Sequence, residues 1–210
     1  MTTIRPEMLL AFDTSSAACT AALFDGDGVC VAQCDELIGR GHAERLVPMI
    51  AEMMDGRSAS HILVGVGPGS FTGIRVAIAA AHGLAIGWGA QLMGMSSLAL
   101  LARAAETDGE VAAAVLGGHG ELFVQQFDAM TAEPTSELRN LLPADAAQFA
   151  TAELVAGSGA ARLVEARGWG VAREAWPSAA YALRLPENLR SLPPKPIYAR
   201  APDARVPEAA

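Results

Sequence analysis

The string GVGPGSFTGIR at residues 65–75 lies between a short apolar run and a long Ala-rich one, and it constrains the fold more than any other segment. ILVGV at 62–66 suits a fully buried strand, and IRVAIAAAHGLAIG at 74–87 suits a helix whose small side chains let a sheet or second helix approach closely. A strand, a glycine loop and a helix in succession place backbone N–H groups at a helix N-terminus, where an anion can sit. The string is not a Walker loop, since no Gly-Lys-Ser or Gly-Lys-Thr follows, and it lacks the third glycine and the later acid of a dinucleotide fingerprint. Gly67 and Gly69 give backbone freedom, Pro68 stiffens the bend, and Ser70 or Thr72 can cap a helix beginning near Gly73. Two readings stand together: a tight turn that packs helix on sheet, and a ligand-binding loop.

Around this unit the chain alternates strands and helices. MLLAFDT, ACTAALFD and GVCVAQCD predict three consecutive strands, the last two joined by Asp25-Gly26-Asp27-Gly28, a strong hairpin signal. HAERLVPMIAEMMDG predicts a helix in which Leu46, Ile50 and Met53 recur at helical spacing, with Val47, Met49 and Met54 widening the apolar face and Gly56 stopping it. Pro48 is expected in or near its first turn, because deeper inside it would clash with the preceding turn. QLMGM predicts a strand, SSLALLARAAE a Ser-capped helix, and VAAAVLGGHGELFVQQFD a strand pair around Gly117–Gly120. Beyond Met130 the pattern weakens to two short helices, PADAAQFA and GAARLVEARG, with VAG as a strand between them and a Pro-rich surface exit. No repeat of fixed period is visible.

Composition narrows the function. The chain has 210 residues, with 15 basic against 23 acidic side chains and a net charge of -8, so it lacks the clustered cations that grip a phosphate backbone. Its three cysteines, Cys19, Cys30 and Cys34, form no CxxC and read as small thiols in a reducing compartment. The early apolar run is cut by Asp13, which argues against a signal peptide. Val76 to Ala102 contains no Asp, Glu, Lys or Arg, yet it is rich in Ala and Gly and splits into helix, turn and strand rather than a membrane span. His42, His61, His82 and His119 are scattered without metal-ligand spacing, and no serine sits in a GxSxG elbow. Neither catalytic nor metal-ligating residues are assigned. Asp13, ending the first strand before Thr14 and Ser15, is the best-placed acid for metal–phosphate chemistry.

Taken together, AFDTSSAACTAALF, HAERLVPMI, VGVGPGSFTGIRVAIAAAHGLA, GELF and PIYAR closely resemble the TsaB family, also called YeaZ, over most of residues 8–130 plus the tail. The resemblance implies an α/β, actin-like ATPase and sugar-kinase (ribonuclease H-like) fold. Its expected division is an N-terminal lobe at 1–105, a smaller degenerate second lobe at 106–194 and a Pro-rich tail at 195–210. Members of this family are paralogues of TsaD, which transfers a threonylcarbamoyl group to the adenosine adjacent to the anticodon in tRNAs reading codons that begin with A. Where TsaD carries its metal-binding HxxxH pair, Ser97 and Leu101 stand here, and neither binds metal well. A non-catalytic, cytoplasmic subunit is therefore implied, not bound to membrane, with TsaD as heterodimer partner. TsaE and tRNA are met through that complex, TsaC acts upstream, and a homodimer forms when TsaD is absent. The contact implied is a helix pair with Leu46, Val47, Met49, Ile50, Met53, Ile74, Ile78 and Ala81, so that Ile50→Asp or Met53→Asp would break the heterodimer.

One departure points to nucleotide. Gly117, Gly118 and His119 are closer to the phosphate loop of TsaD than to the usual TsaB string, and a glycine pair on a strand turn can offer N–H groups to phosphate. With Asp13, Thr14 and Ser15 they form a candidate site for weak binding of ATP with magnesium, although no cofactor is required. The alternative function is a nucleotide-binding phosphotransferase or a glycoprotease-like hydrolase of the same superfamily.

Overall fold

A computed structural model of the chain describes residues 8–197. The PIYAR motif from Tyr198 onward, most of the expected tail, and the first seven residues lie outside the described residues. Two five-stranded sheets organise the rest. The first contains β1 (Leu9–Asp13), β2 (Ala18–Phe24), β3 (Cys30–Leu37), β4 (His61–Gly65) and β5 (Gln91–Met95), ordered β3-β2-β1-β4-β5. The Asp-Gly turn makes β2 and β3 antiparallel, whereas β4 and β5 run parallel to β1 because helices carry the chain back between them. Those helices are α1 (His42–Met54) and α2 (Phe71–Trp88).

Alternation along β1 divides the core. Leu10 and Phe12 pack beneath α1 and α2 with Leu46, Met49, Ile50, Ile74 and Ile78, while Ala11 faces the opposite side. On that side lies α3 (Ser97–Ala104), whose residues Ser97 to Ala102 are buried without a break. Such all-round burial follows from its position between the two sheets. Its leucines share one cluster with Ala11, Ala22 and Leu63 of the first sheet and Val111, Ala113 and Phe127 of the second.

The second sheet contains β6 (Glu110–Leu116), β7 (Leu122–Asp128), β8 (Arg139–Leu141), β9 (Leu154–Ala156) and β10 (Val171–Arg173), ordered β10-β9-β6-β7-β8. Counted within the lobe, this is the strand order of the first sheet. The resemblance led to a degenerate lobe and the sequence showed no repeat; the structure repeats the topology with strands cut to three residues at β8, β9 and β10. Helices α4 (Pro143–Phe149) and α5 (Ala160–Arg167) cover its outer face. The chain then returns to the first sheet. Ala179 N–H bonds Thr20 Oγ1 at 2.8 Å, a short helix α6 (Glu187–Arg190) lies beside β5, and Leu192 and Gly94 exchange backbone hydrogen bonds of 3.0 and 2.7 Å. Within the described residues, the start of the Pro-rich exit is held on the first sheet by Ile197 N–H, which donates to Val66 O at 2.9 Å.

Pro48 departs from expectation. It sits in the interior of α1, six residues past the first, and its ring faces solvent while Leu46, Met49, Ile50 and Met54 bury the opposite side. Packing of that apolar edge outweighs the lost backbone hydrogen bond.

Candidate functional site

The carboxyl end of β1 is where the sequence placed its candidate chemistry, and there Asp13 is fully buried with both oxygens engaged. Ser15 N–H and Ser15 Oγ donate to Oδ1 at 2.6 and 2.7 Å, and Ser97 Oγ donates to Oδ2 at 2.5 Å. The same Ser97 Oγ accepts from Gly67 N–H at 3.1 Å, which stitches the start of α3 to the glycine loop. Burial pushes the Asp13 carboxyl above its ordinary value, opposed by these hydrogen bonds and by the nearby His42.

The glycine loop closes over this end of the sheet. A Cβ at Gly65 would collide with the Asp13 carboxylate, one at Gly69 with Ser15 O, and one at Gly73 with Thr14 O. Thr14 Oγ1 donates to Gly73 O at 2.7 Å and Ser70 N–H to Ser15 O at 2.7 Å, while Ser70 Oγ caps α2 through Gly73 N–H. Of the two readings of GVGPGSFTGIR, the packing turn describes the loop: its glycines are required because backbone lies against backbone. Asp13 and Thr14 are sealed beneath it, so they do not fit a phosphate-bound magnesium, which needs accessible carboxylate oxygens and water ligands.

Gly117, Gly118 and His119 form the tight turn between β6 and β7, with Gly117 N–H bonded to Glu121 O at 2.8 Å. They do not meet Asp13. Between the lobes is a cavity of about 620 Å³. Ser15 lines it, but Asp13, Thr14 and the Gly117–His119 turn do not. Its walls instead include Arg40, His42, Ser158 and Trp176. Sequence reading missed these four, although the glycines flanking Arg40 and the helix start at His42 were visible. Among the described residues no group of three His, Cys, Asp or Glu side chains could hold a metal ion. Ser97 is bonded as above, and Leu101 is buried in the shared core.

The proposed contact helices also need correction. Leu46, Met49, Ile50, Ile74, Ile78 and Ala81 are buried in the chain's own core, because that edge of α1 and α2 faces the sheet. Met53 is half-buried, and only Val47 of the eight is exposed, at 50%. The outward side of the pair carries Ala43, Val47 and Ala51 from α1 and Ala79, Gly83 and Ile86, at 84%, from α2, interleaved with Glu44, Glu52, Thr72, His82 and Arg75, whose guanidinium lies over the ring of Phe71, itself 65% exposed. Among the described residues α2 is long and apolar enough to cross a membrane, and only 22% of it is buried. Its Ser70 cap and its contacts with β4 and β5 set it on the sheet as a helix of this fold.

Comparison with known proteins decides the family. Residues 35–147 match the family TsaD, tRNA N6-adenosine threonylcarbamoyltransferase. A Pseudomonas aeruginosa protein described by its similarity to peptidase YeaZ superposes with a TM-score of 0.75 and 32% identity, covering 92% of this chain and 100% of that one. YeaZ from Pseudomonas aeruginosa gives 0.76 and 28%, with coverages of 91% and 99%. The chain belongs to the TsaB/YeaZ family. Escherichia coli K12 tRNA threonylcarbamoyladenosine biosynthesis protein TsaB is 40% identical over 102 residues, 46% of this chain and 43% of that protein. The Haemophilus influenzae protein of the same name is 39% identical over 103 residues, 46% and 42%. These alignments span less than half the length of those curated relatives. The two-lobe topology and the YeaZ superpositions give the α/β actin-like fold of this family.

Proposed function

We propose that this chain is a non-catalytic subunit of tRNA threonylcarbamoyladenosine biosynthesis that binds a TsaD-type transferase. In that role it supports threonylcarbamoyl transfer to the adenosine adjacent to the anticodon. The observation that carries the reading is the closed end of β1: the one acid placed for metal–phosphate chemistry has both oxygens taken by Ser15 and Ser97 beneath the glycine loop. The same closure disfavours a phosphotransferase or a metal-dependent hydrolase. A partner is supported by the outward side of α1 and α2, where Val47 and Ile86 stand in solvent beside Ala43, Ala51, Ala79 and Gly83, and the ring of Phe71 carries the Arg75 guanidinium. Small residues let another helix pair approach, and the large ones supply apolar area. The face would serve TsaD first and a second copy of the chain when TsaD is absent.

The net charge of -8 leaves the grip on tRNA to the partner. TsaE would meet the combined surface, TsaC would act upstream, and the assembly would work in the cytoplasm.

The test is reconstitution of threonylcarbamoyl transfer with TsaC, TsaD and TsaE, with and without this chain, scored by mass spectrometry of the modified nucleoside. Product dependent on the chain is expected; equal product without it overturns the reading. Val47→Asp and Ile86→Asp place a charge on exposed positions, so the subunit should stay folded while losing its partner on size-exclusion chromatography. An unchanged complex with both variants would move the contact elsewhere.

A further inference from the structure

We propose that strand β3, the open edge of the first sheet, pairs antiparallel with β3 of a second copy of this chain, about a twofold axis at Cys34. The inference stands apart from the partner reading, since it uses a sheet edge and none of the outward residues of α1 and α2.

Each sheet has two edge strands, and three of the four are covered or short. β5 is covered where Gly94 bridges Leu192, and β8 and β10 have three residues each. β3 has eight and pairs only with β2. Ile38 N–H donates to Ala17 O, on the β2 side. Alternation along the ladder then turns the backbone groups of Ala32, Cys34 and Glu36 toward β2 and those of Gln33, Asp35 and Leu37 outward. Among the described residues, the outward N–H and C=O groups have no hydrogen-bond partner. Edges of this kind are ordinarily guarded by Lys or Pro. CVAQCDEL contains neither, and Val29, Val31 and Leu37 at its ends are exposed.

The choice of occupant follows from the register. A shift between Leu23 and Phe24 places a bulge at Val31, so the regular stretch begins at Ala32. Outward residues pair only with outward residues, which allows a twofold axis at Gln33, Cys34 or Asp35. An axis at Asp35 sets two carboxylates face to face, and one at Gln33 brings Asp35 against the bulge at Val31. An axis at Cys34 uses the regular stretch: Gln33 lies opposite Asp35 of the second copy, and Ala32 opposite its Glu36. The carboxylates of β3 are already met within the chain. Asp35 accepts from Thr20 Oγ1, from Gln33 Nε2 at 2.5 Å and from Ser178 Oγ at 2.9 Å, and Glu36 pairs with Arg45 at 2.6 Å. The second N–H of the Gln33 amide faces Asp35 of the second copy, so the edge complements itself in polarity as well as in backbone. Cys34 then faces its own copy in a non-hydrogen-bonded pair, with Cα atoms about 4.5 Å apart, inside the window of roughly 4.4–6.8 Å that a disulfide spans. The contact is small, so the association is weak and reversible.

The test uses the full chain carrying Val47→Asp, which removes association through the helix pair, so that its outcome bears on β3 alone while reconstitution judges the partner reading. In reducing buffer, sedimentation should show a monomer–dimer equilibrium. Diamide, a thiol oxidant, should take two electrons and two protons from facing Cys34 thiols, becoming a hydrazine and leaving a Cys34–Cys34 disulfide that peptide mapping reads. Cys19 is fully buried and takes no part. Cys30→Ser should cross-link as before and Cys34→Ser should not. Gln33→Glu, which sets a carboxylate against Asp35 on both sides of the axis, should weaken the dimer and slow cross-linking about tenfold; circular dichroism checks that it stays folded, and Leu37→Asp, at an exposed position, gives a second variant with the same expected direction. A monomer at every concentration, a cross-link mapped to Cys30, or both variants cross-linking as fast as the parent would each overturn the proposal.

Discussion

The two lobes share one strand order and one way of finishing it, yet they end in different chemistry. In the first, the loop after β4 packs on the end of β1, with Gly69 and Gly73 against Ser15 O and Thr14 O and Ser70 N–H bonded to Ser15 O at 2.7 Å. In the second, the loop after β9 packs on the end of β6, with Gly157 and Gly159 against Ala114 O and Gly159 N–H bonded to that oxygen at 2.9 Å. Both lobes therefore depend on a glycine where a loop must cross the first strand's end. The polar content differs: the first lobe buries Asp13 with Ser15 and Ser97 at this junction, whereas the second places Ala114 and Leu116 there. The helices differ too. α2, of 18 residues, leaves large apolar side chains in solvent, and α5, of 8, turns Leu163 into its own core. One topology thus carries a long helix with apolar side chains in solvent in one lobe and a short, inward-turned one in the other.

Replacing a crossing glycine should have the largest effect. Gly73→Ala and Gly157→Ala each drive a Cβ into backbone oxygen, and each should cost about 3 kcal/mol or more in urea denaturation. A loss in one lobe alone would break the equivalence. Next in size, Leu101→Ala empties part of the core that α3 shares between sheets and should cost about 2–5 kcal/mol. The two lobes should still unfold together, with Trp88 fluorescence in the first coinciding with Trp169 fluorescence in the second. Separate transitions would show that α3 does not couple them.

Asp13 gives a pH-dependent contrast. Its folded-state pKa is raised, so its contribution is most favourable below the unfolded value, about 4, and is lost as pH rises from there through the folded value. Asp13→Asn should abolish that decline in the pH dependence of the denaturation midpoint. A profile parallel to the wild type would assign the titration to another group. The smallest effect is expected at Gly87, exposed within α2, where an added Cβ would meet open space: Gly87→Ala should stabilise by about 0.5–1 kcal/mol, opposite in sign to Gly73→Ala on the same helix.

Local signals announced much of this architecture. Alternation and Asp-Gly chemistry located the opening meander, and Ser70 and Ser96 cap α2 and α3 where capping rules put such residues. Strands β8 and β10 were missed because Arg139–Leu141 and Val171–Arg173 are too short to show a period and have no fully buried residue. The buried edge of α1 was legible as apolar, but its place against this chain's own sheet was not, since a periodic pattern does not name what covers it. Sealing of Asp13 escaped for a different reason. Its decisive partner, Ser97, is 84 positions away, and only the packed fold brings them together.

The returning segment gives the first sheet a dependence on the chain's far end. Gly94 pairs with Leu192, and Thr20 receives Ala179 N–H. As a nascent polypeptide leaves the ribosome, the first lobe can assemble its five strands early, but the edge of β5 and part of β2 stay uncovered until residues near 192 emerge. Truncation before that point would strip cover from strands formed at the beginning of synthesis, making the N-terminal lobe the region most exposed to premature termination.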